Sequence, residues 1–246
     1  MTPESLRPIA FSLRVAATAT AITLVIGLSL ARLFTHRKIR FREFWETLIL
    51  LPMVFPPTIT GYLLLLLFGK RGPLGSLLAG VGVQIVFTQA AAVLASVTVS
   101  LPLMYQNCKA ALAGVDSRCV DAARTLGLNE GRIFRCVTVP LAAPGILSGI
   151  ALSFARALGE FGATLMIAGN IPGRTQTIPL ALYSAVESGR SGEANAYLLV
   201  TVVLSFSVIA IVNVGERKSR TLHGRSRLDR DSTGFSRDIA DTGDPL

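Results

Sequence analysis

The chain has 246 residues, 51% of them hydrophobic and only 16% charged. Its charge is clumped between long apolar stretches, which excludes an ordinary soluble domain and indicates several membrane spans. The net charge of +9 does not imply a nucleic-acid partner, because basic residues flanking membrane spans give the same total.

A bilayer-crossing helix needs about 20 mostly apolar residues, and five stretches meet that requirement. The first runs about Ile9–Phe34 and is too long for a secretory signal. The second, about Thr47–Phe68, carries Pro52, Pro56 and Pro57. Prolines leave carbonyls unpaired, which lipid does not tolerate, so this helix is expected to be kinked and to face the bundle interior. Simple packing distortion accounts for the same prolines equally well. The third is placed near Gln84–Tyr105, after a glycine-rich loop from Gly72. The fourth begins near Leu141 and continues past Arg156 and Glu160 to about Ala168. The fifth is about Ala194–Val214.

Arginine and lysine in the short flanks set the orientation. Arg37, Lys38, Arg40 and Arg42 follow span one. Lys109, Arg118, Arg124, Arg132 and Arg135 lie between spans three and four, and Arg217, Lys218 and Arg220 begin the segment after span five. The alternate flanks are poorer in these residues, so the amino terminus lies outside and the carboxyl terminus in the cytoplasm. The expected fold class is therefore an all-α membrane protein of about five transmembrane helices. Residues 1–215 form the membrane domain, with a cytoplasmic loop at about 107–140. Residues 216–246 form a polar, disordered tail resting on anionic lipid.

Cys108, Cys119 and Cys136 lack the close spacing of a zinc or redox motif, and the odd number argues against a disulfide framework. No metal site and no catalytic residue is expected. No G-x-x-x-x-G-K-[ST] phosphate loop occurs in the chain.

The cytoplasmic loop is the most informative segment. Asp116 is placed to cap a helix over about Ser117–Leu126, which Gly127 ends in a left-handed conformation. Asn129 caps a second short helix, which Pro140 prevents from running unbent into span four. At 100° per residue, Arg118, Asp121, Arg124 and Thr125 share one side of the first helix, while Cys119, Val120, Ala122, Ala123 and Leu126 share the other. Ala122 and Ala123 have little bulk, so another surface can approach that backbone closely.

Span four opens with small residues every fourth position, Gly145, Gly149 and Ser153. That pattern permits close helix contact, either in a dimer interface or with another span of the same chain. Further along, Arg156 lies roughly 22 Å into the helix at 1.5 Å per residue. Glu160 is four residues on, so the two can pair. Intramembrane charges face a partner or a water-filled path. The pairing favours an architectural role over attraction of an anion. Pro52, Pro56, Pro57, Arg156, Glu160 and Thr164 are the candidates for pathway or architecture. After this span, Asn170, Pro172 and Gly173 mark a turn before an apolar run from Ile178 that is too short to cross.

Asp121-Ala122-Ala123, three residues, Gly127, nine residues, then Val137, Thr138, Val139 and Pro140 resembles the loop signature of ABC importer permeases, E-A-A-x₃-G-x₉-I-x-L-P. The chain departs from it by Asp121 for Glu, Val137 for Ile and Val139 for Leu. The resemblance implies the type I ABC importer permease architecture in a bacterial inner membrane. It makes Asp121, Ala122, Ala123, Gly127, Val137 and Pro140 the ATPase-coupling loop. It also implies two ATPase subunits that hold ATP and Mg, a second copy of the chain, an extracytoplasmic oxyanion-binding protein, and alternating access. No cofactor is expected in this chain.

Within ABC permeases, Leu51-Pro52, Pro56-Pro57-Thr58 and the run from Arg156 to Leu180 most resemble the molybdate permeases. The substrate implied is molybdate, with tungstate nearly the same in size and charge. A sulfate or thiosulfate permease is the alternative. From other classes, the alternatives are a non-transporting membrane assembly protein or an intramembrane enzyme.

Overall fold

The structure, a computed structural model, describes residues 3–36 and 40–210. Four of its helices are long and apolar enough to cross a membrane, with a bent pair as a fifth candidate. Among the described residues there is no β-strand. The tail at 216–246 and the end of the fifth span lie outside the described residues.

Helix α1 (Pro3–His36) and α5 (Gln89–Ala113) form the centre of the bundle. Ala16, Ala19, Ala31, Ala91, Ala92 and Ala95 are all fully buried. Small side chains let helix backbones approach where lipid supplies no hydrophobic drive between helices. At Gly27 a methyl group would stand 2.8 Å from Met104 Cγ, so only glycine fits against α5 there.

Span two is not one kinked helix. It is two, α2 (Arg42–Val54) and α3 (Pro57–Phe68), bent by 116°. Pro56 and Pro57 have no N–H to continue the ladder from α2, and Pro57 instead opens α3, where its fixed φ suits the first turn. Pro56 and Pro57 are exposed on the protomer, which corrects the expectation that they face its interior. Helix α2 buries no residue fully. Glu46 holds it by ion pairs of 2.8 Å to Arg42 and 2.8 Å to Lys109 of α5. The expected loop from Gly72 contains a short helix, α4 (Pro73–Gly80), which Pro73 starts.

Helix α5 begins at Gln89 and runs to Ala113, well beyond the expected end at Tyr105. Apolarity marks where lipid ends rather than where hydrogen bonding ends. Lys109 keeps its stem on the helix while its ammonium reaches Glu46.

The cytoplasmic segment holds α6 (Ser117–Thr125) and α7 (Glu130–Ile133), followed by a π-helical turn, Phe134–Thr138, and α8 (Val139–Leu158). Residues Glu130–Leu158 form one helical run, so Pro140 does not interrupt it. The π turn supplies the reason. The Val139 N–H bonds the Phe134 carbonyl five residues back, and this widening accommodates a proline that has no N–H to place.

Span four also differs from expectation. Helix α8 ends at Leu158, and a separate helix α9 (Gly162–Ala168) follows after a break at Gly159–Phe161. Helix α10 (Ile178–Glu187) is the short apolar element expected after the turn. It docks into the protein, with Ile178, Leu180, Ala181 and Ala185 buried and the Ile178 N–H bonded to Ser12 Oγ at 2.7 Å. Helix α11 (Ser191–Ala210) packs Tyr197 and Leu204 toward α1 and leaves most of its surface outward.

Candidate functional site

The cytoplasmic segment is shaped by local chemistry. The Asp116 carboxylate accepts from the Arg118 N–H at 2.9 Å and caps α6. At the other end Gly127 has φ +79°. Its N–H donates to the Arg124 carbonyl at 2.9 Å, and the Leu128 N–H donates to the Ala123 carbonyl at 3.2 Å. That bond pair is a Schellman C-cap, which satisfies two carbonyls that would otherwise lack partners. Asn129 Oδ1 then accepts from the Arg132 N–H at 2.9 Å and starts α7.

Arg124 clamps the two helices together. Its Nη1 donates to Asp121 at 2.9 Å and its Nε to Glu130 at 2.7 Å. The hydrogen bond to Glu130, aided by Asp121, raises the guanidinium pKa further and keeps it charged. The angle between α6 and α7 is therefore held by a charged fork as well as by the glycine turn.

The apolar side of α6 divides in the fold. Ala123 is buried and Val120 half-buried, so these two hold the helix to the body of the protein. Cys119, Ala122 and Leu126 stand outward, with Leu126 81% exposed. These three side chains form an exposed strip of one small and two apolar residues beside the paired Asp121 and Arg124. Val137 is half-buried and Pro140 exposed on the run into α8. Cys119 and Cys136 are exposed free thiols, and Cys108 is buried.

The glycines of α8 lie against α5. A methyl on Gly145 would stand 2.7 Å from Ala111 Cβ, and one on Gly149 would stand 2.9 Å from Asn107 Cβ. Ser153 Oγ donates to the Ser100 carbonyl at 3.4 Å. The small-residue pattern is therefore a seam within one protomer.

At the outer end of that seam the helix breaks. Glu160 is buried, and Arg156 Nη1 donates to its Oε2 at 2.7 Å. Its Oε1 accepts the Ala163 N–H at 2.8 Å and so caps the first turn of α9. Helix α9 in turn receives α3. A methyl on Gly61 would stand 2.7 Å from Ala163 Cα, and one on Gly162 would stand 3.0 Å from Pro57 Cβ. Thr164 is fully buried, and its hydroxyl has no hydrogen-bond partner among the described residues. The fold thus gathers Pro57, Arg156, Glu160 and Thr164 around the α8–α9 break. Pro52 lies apart, inside α2.

Among known proteins, residues 23–221 match the model of the family described as binding-protein-dependent transport system inner membrane component. The chain belongs to that family. Among relatives of this inner membrane component is the putative molybdenum transport system permease protein YvgM of Bacillus subtilis (strain 168). It is 42% identical over 85% of this chain and 92% of its own length. The molybdenum transport system permease protein ModB of Escherichia coli (strain K12) is 38% identical over 86% of this chain and 93% of its own. In fold, the chain resembles the MetNI methionine ABC transporter in inward-facing conformations. The TM-score is 0.67 at 18% identity, over 90% of this chain and 99% of that one.

Family membership and the long apolar helices agree with a multi-pass inner-membrane protein. Sequence reasoning missed the Glu46–Lys109 tie, whose partners are 63 residues apart. It also missed the capping role of Glu160, because a single residue is all that marks Gly159–Phe161 as a break within a mostly apolar run. The glycine at 159 was the available signal.

Proposed function

We propose that this chain is the membrane-spanning subunit of an ATP-driven importer that carries molybdate, and tungstate with it, by alternating access. The exposed strip of α6, held rigid by Gly127 and the Arg124 fork, carries this reading. It offers a shaped cytoplasmic surface in a chain with no phosphate loop of its own. Two ATPase subunits that hold ATP and Mg are the partners for that strip. The relatives' names, YvgM and ModB, support molybdate as cargo.

The mechanism follows the continuous backbone. A partner that closes on nucleotide displaces α6 and α7, and the helical run Glu130–Leu158 passes the displacement along α8. The Gly145–Ser153 seam couples α8 to α5, and the Glu160 cap couples its far end to α9 and α3. The exposed face of α3, including Pro57, Thr58 and Tyr62, is the surface for a second copy of the chain across the pathway. An extracytoplasmic oxyanion-binding protein delivers the cargo and supplies most of the selectivity.

The test is uptake of labelled molybdate by vesicles that contain the permease, its ATPase and the binding protein, with tungstate and sulfate as competitors. Tungstate should compete far better than sulfate. Stronger competition by sulfate would move the assignment to a sulfate or thiosulfate permease. Failure to copurify with any ATPase would return the chain to the assembly-protein or intramembrane-enzyme readings.

A further inference from the structure

Arg32 lies one turn from the cytoplasmic end of α1, and its guanidinium carbon is 4.0 Å from the centroid of the Phe134 ring. Phe134 is the first residue of the π turn between α7 and α8. Among the described residues, Arg32 belongs to none of the ion pairs, and it is half-buried. A guanidinium that lies over an aromatic face without a carboxylate partner is held there by the ring. Phe134 also packs against the apolar cluster that includes Ala31 and Phe34 of α1 and Tyr105 of α5. Phe134 is thus held to α1 both by Arg32 and through this cluster.

Around this contact α1 and the cytoplasmic segment stand apart. A groove of about 810 Å³ opens between Ser29 and Leu33 on α1 and Val120 and Ile133 on the segment, and Arg32 and Phe134 both line it. Along its length α1 is packed tightly on α5, as the Gly27–Met104 approach requires. A pull on Phe134 is therefore a pull on a helix that cannot slip freely past its neighbour.

We propose that Arg32 is a positioning residue for energy coupling: it ties α1 to the π turn, so that displacement of α6 and α7 moves α1 together with α8. This rests on the transport reading above and adds α1 to the parts that move. The chain delivers the displacement to α8 through the backbone and to α1 through one aromatic side chain. The π turn is where the two routes divide.

The test uses the assembled permease–ATPase complex in vesicles, with uptake expressed per ATP hydrolysed and per assembled complex. Arg32→Gln should lower that ratio on the order of fivefold, and Arg32→Lys should keep more than half of it, because an ammonium also binds the ring face. Phe134→Leu should match Arg32→Gln, and the double variant should be no worse than either single. Spin labels at Leu33→Cys and at Arg118→Cys on the opposite side of α6, with Cys119→Ser and Cys136→Ser, give a readout that needs no cargo. Their separation should stay constant between nucleotide-free and nucleotide-trapped complexes, and should change in Arg32→Gln. Wild-type coupling in Arg32→Gln, or losses that multiply in the double variant, would overturn the proposal. So would a label separation that varies equally in both proteins. A wild-type complex that hydrolyses ATP without moving molybdate would sink the cargo reading alone, and the labels would still decide this one.

Discussion

The backbone N–H of Ala163 donates to Oε1 of Glu160 at 2.8 Å, across the break that separates α8 from α9. The other carboxylate oxygen holds Arg156 at 2.7 Å, and the Glu160 side chain is 1% exposed. One buried carboxylate therefore caps a helix and neutralises an arginine inside the membrane domain. The capping depends on the chain leaving helical geometry after Leu158, whereas the pairing with Arg156 keeps the i,i+4 spacing of a helix.

Removing that carboxylate should be costly. Breaking a fully buried pair costs about 3–5 kcal/mol, and the Arg156 side chain is 32% exposed, so Glu160→Ala should destabilise by about 2–3 kcal/mol. Glu160→Gln keeps an oxygen for the Ala163 N–H and should cost roughly half as much. Thermal unfolding in detergent measures both, and an unchanged midpoint for the alanine variant would sink the capping role. The Arg156→Gln/Glu160→Gln double variant should retain uptake. Lost uptake with the fold intact would place the pair in contact with substrate.

Gly127 separates two kinds of constraint. No atom lies within 4 Å of a methyl built there, so its φ of +79° is the whole restriction. Gly127→Ala should cost about 1–2 kcal/mol and reduce uptake only partly. Gly127→Pro fixes φ near −65° and removes the N–H bonded to Arg124, so coupled uptake should be abolished. Surface labelling and membrane fractionation should find both variants normally inserted. Wild-type uptake by the proline variant would refute the coupling role of this turn.

The seam between α8 and α5 yields a prediction about assembly. Gly145→Leu overpacks against Ala111 and should destabilise the protein by about 1–3 kcal/mol. The number of permease copies in the purified complex should not change, because the contact lies inside one protomer. Adding Ala111→Gly should recover part of the lost stability. A change in stoichiometry with stability intact would mean that the glycines face another copy.

Arg124→Gln tests whether the angle between α6 and α7 matters. The fork is solvent-exposed, so the unfolding midpoint should hardly move. Uptake per ATP should fall severalfold because the angle is then set by the glycine turn alone. Equal coupling in the variant and the wild type would show that the turn suffices.

The cytoplasmic element was legible because its determinants are local. Asp116, Gly127 and Asn129 act on N–H and C=O groups within five residues of themselves, and their spacing is written along the chain. Hydropathy located the long helices for a similar reason, since lipid acts on each stretch separately. It failed at helix ends such as Ala113, where hydrogen bonding continues after apolarity stops.

Residues 107–140 thus declared from sequence alone a capped helical pair on the cytoplasmic side, between apolar spans whose basic flanks fix their direction. Tertiary structure decided which surfaces those spans offer one another. The prolines at 56 and 57 became a corner of 116° because α3 seats Gly61 on α9. The glycines of α8 became an internal seam because Ala111 and Asn107 of α5 are small or yielding at the same heights. Glu160 became a cap only once Gly159 ended α8. Each outcome turns on distances between residues far apart in the chain, and lipid, which solvates all apolar faces alike, leaves the choice among them to steric fit.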